Sequence, residues 1–231
     1  MIKFENTEVV GWEHAIRGMR NPMNSWDKSD SCECGYDSDC ETCDHDMKKC
    51  GEFYLGENDR NLMQRLRKAG TDHRKYLRMI TVYVDITAPM YWWSEFDTYK
   101  VGTVANSTSK MHKLLSKPFE MNDFSFDKLP GYKNEVKQFR PIVEEVARPL
   151  VDTLNELRDD WFREEDTEKK KIIWYSILQL LPNSYNQKRT VMLNYEVLNN
   201  IYKSRKNHKL DEWSIGFMKW IESLPYSEEL I

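Results

Sequence analysis

The stretch Leu180 to Arg205, LLPNSYNQKRTVMLNYEVLNNIYKSR, decides the fold. It opens on a proline stop and runs into a segment with helical spacing, predicted over Thr190 to about His208. At 100° per residue, Asn194, Val197, Leu198, Ile201 and Arg205 share one narrow sector. His208 joins them if the helix continues. Polar side chains therefore share a stripe with three aliphatic ones that should face inward. A half-buried arginine needs an anionic or strongly accepting partner, because an unpaired buried charge costs several kcal/mol. That partner is a protein carboxylate or a ligand. The plain alternative is an amphipathic helix that frays before Arg205 and leaves Arg205 and His208 in water.

Working outward, the second half reads as helical. Val136 to Trp161 has helical periodicity with Pro149 as an interruption, Ile172 to Leu181 is an apolar helix stopped at Pro182, and Asp211 to Ile221 closes the chain. The first half carries the strands. Ile2 to Val10 suits a strand, and Met79 to Ile86 (MITVYVDI) is β-branched and alternating. Gly11 to Arg20 suits a short helix ended by Asn21-Pro22. NDRNLMQRLRKAG suits another, with Asp59 as its cap and Gly70 as its end. MYWWSEF begins a third. No internal repeat is present. Strands first and helices after give an α+β class.

Composition agrees. The chain has 231 residues, 40% hydrophobic and 31% charged, which suits one domain with a real core under a charged surface. The net charge of −4 and the lack of a long basic run argue against a grip on duplex DNA. No apolar run approaches the roughly 20 residues that span a bilayer, and MIKFENTEVV has no leader pattern. A cytoplasmic protein without a membrane role is expected.

Residues 24–52 break the pattern. The segment has almost no aliphatic residue and reads as an acidic, cysteine-rich insertion within a single domain over 1–231. All five cysteines lie between Cys32 and Cys50. In a reducing compartment, disulfides are a poor first reading. Cys32-x-Cys34 and Cys40-x-x-Cys43 supply four thiolates, enough for a closed tetrahedral zinc site of structural kind. His45 and Cys50 are further candidate ligands. The alternative is an acidic loop whose thiols stay free.

With these residues in view, LLPNSYNQKRTVMLNYEVLNNIYKSR resembles the carboxy-terminal motif of flavin-dependent thymidylate synthases. That family has Leu-Pro, an asparagine twelve residues after the proline, a second six later and an arginine five beyond. Pro182, Asn194, Asn200 and Arg205 match without a gap. The family's histidine follows the arginine by four residues, whereas His208 follows by three. AIRGMR is similar to an early Ala-x-Arg-x-x-Arg segment, matched by Arg17 and Arg20. KAGTDHRKYLRMITVYVDITAP is similar to the family's helix end, flavin-contacting turn and strand, which assigns Thr71 and His73 to the cofactor.

The resemblance implies an antiparallel sheet flanked by helices, with a helical C-terminal half, assembled as a homotetramer with active sites between subunits. It implies FAD as cofactor, with methylenetetrahydrofolate and NADPH as co-reactants and a deoxyuridine nucleotide as substrate. Arg205 would lie against the pyrimidine, and Asn194, Asn200 and His208 would line the flavin side. No enzyme nucleophile is required; the protein orients and polarises the ring.

The family's Arg-His-Arg signature is altered. Counted from Ala88-Pro89, its positions hold Thr98, Tyr99 and Lys100, then Thr103, Asn106, Thr108 and Lys110. A nucleotide-binding arginine near Leu-Pro is Leu178. Lysine is a point charge where arginine is a planar fork, so phosphate contacts change in kind. Lys100, Thr108 and Lys110 remain able to hold a phosphate, and Asn106 replaces a glutamate. Two readings stay open: an active, altered enzyme, and a nucleotide-binding or protein-interaction relative without catalysis. A diverged nucleotide enzyme would also suit a phage or mobile-element origin. A third role, purely structural, would use Tyr91, Trp92 and Trp93 as an exposed surface, against the plainer expectation that these rings are packed.

Overall fold

A computed structural model describes residues 2–33, 53–131 and 140–231. In chain order the elements are strand β1 (Lys3–Val10), helix α1 (Trp12–Arg20), short strands β2 (Cys32–Glu33) and β3 (Phe53–Tyr54), and helix α2 (Glu57–Lys68). Strand β4 (Thr81–Pro89), helix α3 (Met90–Phe96), strand β5 (Val104–Ser107) and helix α4 (Lys110–Lys113) follow. The second half contains α5 (Arg148–Arg163), α6 (Thr167–Leu180), strand β6 (Asn186–Asn194), α7 (Tyr195–Arg205), α8 (Met218–Glu222) and α9 (Ser227–Leu230). The main sheet is antiparallel, ordered β1-β4-β6-β5, with flanking helices. The α+β expectation holds.

One strand was hidden in the deciding stretch. Where periodicity predicts a helix from Thr190, β6 continues to Asn194 and the helix starts only at Tyr195. Gln187, Val191 and Leu193 are buried, a period of two that the polar QKRT run obscures. Its charges are neutralised locally. Lys188 pairs with Glu5 at 3.1 Å and Asp85 at 3.3 Å, and Arg189 pairs with Asp97 at 2.7 Å.

The chain divides into two compact units: Met1–Glu5, Asp85–Tyr99 and Ala105–Thr190 form one, and Asn6–Val84, Lys100–Val104 and Val191–Ile231 the other. In the first unit, Phe119, Phe124, Phe126, Val151, Leu154 and Ile177 pack as one apolar cluster. Trp92 and Trp93 are fully buried, and Trp93 donates its indole N–H to the Gln187 carbonyl at 2.9 Å. They are core residues, as the plainer expectation had it, so no exposed tryptophan surface exists there.

Pro149 does not end its helix. It lies just after a wider π-type turn over Val143–Ala147, and the backbone stays helical through that turn into α5, so the interruption is a change of helix type.

In the second unit, Trp12 stacks on Phe53 and meets Tyr195 and Tyr226 edge-on at 5.4 Å each. Gly11 makes the β1-to-α1 corner at φ +93, where a Cβ would lie 2.2 Å from the Met79 carbonyl oxygen. Only glycine fits that corner.

Asp59 is not the cap expected for α2. Gly56 precedes that helix, and the Asp30 carboxylate accepts from the Asn58 and Asp59 N–H groups at 2.8 and 3.1 Å. Asp59 lies inside the first turn and is fully buried against Arg20. No described helix is long and apolar enough to cross a membrane.

Candidate functional site

Helix α7 builds the site. Asn194 is its N-cap: the side-chain oxygen accepts from the Val197 N–H at 3.0 Å, and Nδ2 donates to the Gly102 carbonyl at 3.5 Å. This explains why Asn194 shares a face with the helix without belonging to it. The same contact carries the Lys100–Val104 segment to the start of α7. Gly102, at φ +79, leaves the room, since a Cβ there would come within 2.9 Å of Asn194 Nδ2.

At the other end, the Arg205 guanidinium lies over the Trp213 ring, 5.1 Å from its centroid. Trp213 is fully buried and Arg205 half-buried. An aromatic face is thus one partner of this half-buried arginine, drawing the cation toward the ring. α7 ends at Arg205, so His208 lies beyond it. His208 accepts from the Leu210 N–H through Nδ1 at 3.2 Å and meets Trp213 edge-on.

Between these ends lies a pair that sequence spacing did not single out. Glu196, buried in the first turn of α7, accepts from Arg74 through Oε1, from Nε at 3.2 Å and from Nη2 at 3.0 Å, while Nε also lies 2.9 Å from Oε2 as an ion pair. Arg74 Nη2 also reaches Asn200 Oδ1 at 3.5 Å. Arg74 follows directly on the turn holding Thr71 and His73, both exposed, so this pair ties that turn to α7. Sequence spacing marks only the helix side of it, since Glu196, Asn200 and Lys203 recur at i, i+4 and i+7 and nothing in that pattern points to Arg74. The Lys203 ammonium is held below its usual range by burial and then by the nearby Arg74 and Arg67 cations, which outweigh Glu196. Tyr76, donating to the Met63 carbonyl at 2.8 Å, has its hydroxyl pushed up chiefly by burial.

The structure brings Asn194, Asn200, Arg205, His208, Thr71, His73 and Lys100 into the second unit. Asn106, Thr108 and Lys110 belong to the first. There Asn106 lies on exposed β5, the Thr108 carbonyl accepts from Gln187 Nε2 at 2.9 Å, and the Lys110 ammonium contacts the Met90 sulfur at 3.7 Å.

Two hollows of the second unit, about 340 and 280 Å³, are lined by other side chains, including Arg67 and Tyr202 in one and Arg17, Arg20 and Trp26 in the other. Arg20 is a structural cation bonded to Asp59, and Arg17 is exposed. Of the thiols expected to bind zinc, Cys32 begins β2, while Cys34, Cys40 and Cys43 lie outside the described residues. No metal-binding cluster is present among the described residues.

Comparison with solved structures gives the fold its context. The flavin dependent thymidylate synthase ThyX from Helicobacter pylori, complexed with FAD and dUMP, superposes with a TM-score of 0.62 at 19% identity, covering 99% of this chain and 97% of that one. The chain has the ThyX fold. A second Helicobacter pylori ThyX structure with FAD and dUMP gives 0.61 at 16% identity, covering 99% and 96% of the two chains. No family model matches the sequence, and no curated protein matches it.

Proposed function

We propose that this protein binds FAD and a deoxyuridine-type nucleotide and transfers a folate one-carbon unit to C5 of the pyrimidine, as a diverged relative of the ThyX enzymes. The observation that carries this reading is a coincidence of fold and spacing. A chain that matches structures holding FAD and dUMP over 99% of its length also keeps Asn194, Asn200 and Arg205 at the family's intervals.

The residues fit such ligands. A flavin dinucleotide needs donors for its heterocycle edges and a cation for its pyrophosphate, and Thr71, His73 and Asn200 are exposed donors beside the largely buried, Glu196-paired Arg74. When bound, the flavin would supply the redox chemistry and relay the carbon unit from methylenetetrahydrofolate, with NADPH as the reductant. Arg205, beside the Trp213 ring, would polarise the pyrimidine, and Lys100, Asn106, Thr108 and Lys110 would receive the nucleotide. The single domain over 1–231, the insertion at 24–52 and a homotetramer with shared sites belong to the same reading. So does a structural zinc held by Cys32, Cys34, Cys40 and Cys43.

A second reading is favoured by one observation: Asn194 is engaged internally through both its oxygen and its amide. Together with Thr98 and Tyr99 in place of a signature arginine and histidine, this suits a nucleotide-binding relative without turnover. The deciding experiment starts from freshly purified protein. A flavin absorbance spectrum, native or after reconstitution with FAD, followed by tritium release from C5-labelled dUMP, supports the enzyme. Nucleotide-dependent thermal stabilisation without tritium release supports the second reading. Protein that stays colourless and is stabilised by no nucleotide defeats both.

A further inference from the structure

The hollow of about 280 Å³ lies where α1 meets the two ends of the cysteine-rich insertion. Ile16 lines it from α1, Trp26 from the chain entering the insertion and Phe53 from the chain leaving it. Trp26 keeps 51% of its surface in water, so a large apolar ring stands uncovered. The ring is nevertheless held. Its indole N–H donates to Asn21 Oδ1 at 2.8 Å, and Arg20 ties down the Ser25 and Lys28 carbonyls on either side of it. Phe53 is fixed from its other face, stacked on buried Trp12 at 5.8 Å. The walls are thus set before anything binds, which lowers the ordering cost of an occupant. The volume approaches the roughly 300 Å³ at which small-molecule pockets begin, and suits one ring with a short polar head.

Glu13 and Arg17 line the same hollow. Glu13 stands four positions before Arg17 on α1, the spacing and order that favour an ion pair along a helix. Among the described residues, however, neither makes an ion pair or a hydrogen bond, and both are exposed. Arg20, the other cation of the lining, has Nε, Nη1 and Nη2 committed to Asp59, Ser25 and Lys28. The hollow therefore offers one uncommitted carboxylate and one uncommitted guanidinium beside apolar walls.

We propose that this hollow binds an aromatic α-amino acid as its free zwitterion. Arg17 receives the carboxylate through its planar fork, Glu13 receives the ammonium, and the ring lies against Trp26, Phe53 and Ile16. In such a ligand both charged groups sit on one carbon. That suits two opposite charges one helical turn apart, with Cβ atoms roughly 5–6 Å from each other. A plain aromatic acid would set a like charge against Glu13, and an aromatic amine would set one against Arg17. Only a zwitterion satisfies both. The residues that shape this hollow flank the insertion and include none of those given to the flavin or the nucleotide, so the proposal stands or falls apart from that reading.

The test uses the full chain and ligand-observed magnetic resonance titration at low ionic strength. The probes are L-phenylalanine, phenethylamine, which lacks the carboxylate, and phenylpropionate, which lacks the ammonium. L-Phenylalanine is the smallest aromatic member of the class, so size does not exclude it. Wild type is compared with Arg17→Gln and Glu13→Gln, which alter exposed side chains and should leave the melting temperature unchanged. L-Phenylalanine should bind wild type about tenfold more tightly than either analogue, as expected for one charge-assisted contact. Arg17→Gln should weaken L-phenylalanine about tenfold without weakening phenethylamine. Glu13→Gln should weaken it by a similar factor without weakening phenylpropionate. Trp26→Ala should abolish binding of all three. Wild type that binds no L-phenylalanine in the millimolar range overturns the proposal. So does a wild type that binds an analogue as tightly as the amino acid, or a pair of charge variants that bind L-phenylalanine as wild type does.

Discussion

The Nε of Arg20 donates to Oδ1 of Asp59 at 2.6 Å, and both side chains are almost wholly removed from water. The other Asp59 oxygen accepts from the Ser29 and Ser31 hydroxyls, each at 2.7 Å, and from the Asp30 and Ser31 N–H groups. Arg20 meanwhile donates to the Ser25 and Lys28 carbonyls at 3.0 and 2.9 Å. One ion pair thus organises the chain from Ser25 to Ser31, the start of the cysteine-rich insertion, against α1 and α2. Asp59→Asn would leave the guanidinium buried without its countercharge. The expected loss is about 3–5 kcal/mol, read by chemical denaturation. A change below about 1 kcal/mol would show that the pair is dispensable.

The same carboxyl predicts an acid transition. Burial alone would raise the Asp59 pKa, but hydrogen bonds from Ser29, Ser31 and Arg20 outweigh it and hold the group below the usual value of 3.8. Since the folded pKa is the lower one, the unfolded chain takes up the proton first as pH falls. The stabilisation is therefore complete above the ordinary aspartate range and is lost as pH drops through 3.8 toward the folded value. Stability against pH, measured from 6 downward, should fall more steeply for wild type than for Asp59→Asn across that acidic window. Parallel curves would remove Asp59 as the cause.

How much of this was legible in the sequence depended on whether neighbours in the chain carried the signal. Strand β4 announced itself, because Val82, Val84, Ile86 and Ala88 alternate inward. Helix α7 was legible from Val197, Leu198 and Ile201. β6 was not, because six of its nine residues are polar and the partners of its charges, Glu5, Asp85 and Asp97, are remote in sequence. Asp59 looked like a cap for the same reason: nothing local points to Arg20, 39 positions away. At the site, Asn194 and Arg205 were readable as a row by periodicity, and Asn200 only through the family resemblance. The Arg74–Glu196 pair was not, since it spans 122 positions and joins a turn to a helix.

Asn194 allows capping and ligand binding to be separated. Asn194→Ala removes the acceptor for the Val197 N–H and should cost about 1 kcal/mol of stability. Asn194→Asp keeps that acceptor and should stay within about 0.5 kcal/mol of wild type, while losing the Nδ2 donor. If Asn194→Asp also retains FAD affinity in fluorescence titration, Asn194 serves the helix alone. If affinity falls while the melting temperature holds, the amide also serves the ligand.

Arg205 and Trp213 offer the sharpest division between stability and binding. The cation–π contact of a half-buried pair is worth about 1 kcal/mol, so Arg205→Ala should lower stability only slightly. Under the proposed function its effect on dUMP binding should be far larger, because removing the cation takes away both the charge and the planar fork that this reading assigns to the pyrimidine. Arg205→Lys restores charge but not the fork, and should recover little of that affinity. Trp213→Phe keeps a ring beneath the guanidinium at reduced strength, since tryptophan is the best cation–π face, and should give an intermediate dUMP affinity. That order, wild type above Trp213→Phe above Arg205→Lys, is what a guanidinium steered by its aromatic support requires. A Trp213→Phe protein that binds dUMP as weakly as Arg205→Ala would instead mark Trp213 as part of the pocket wall, because a weakened support alone cannot abolish a contact made by an arginine still in place.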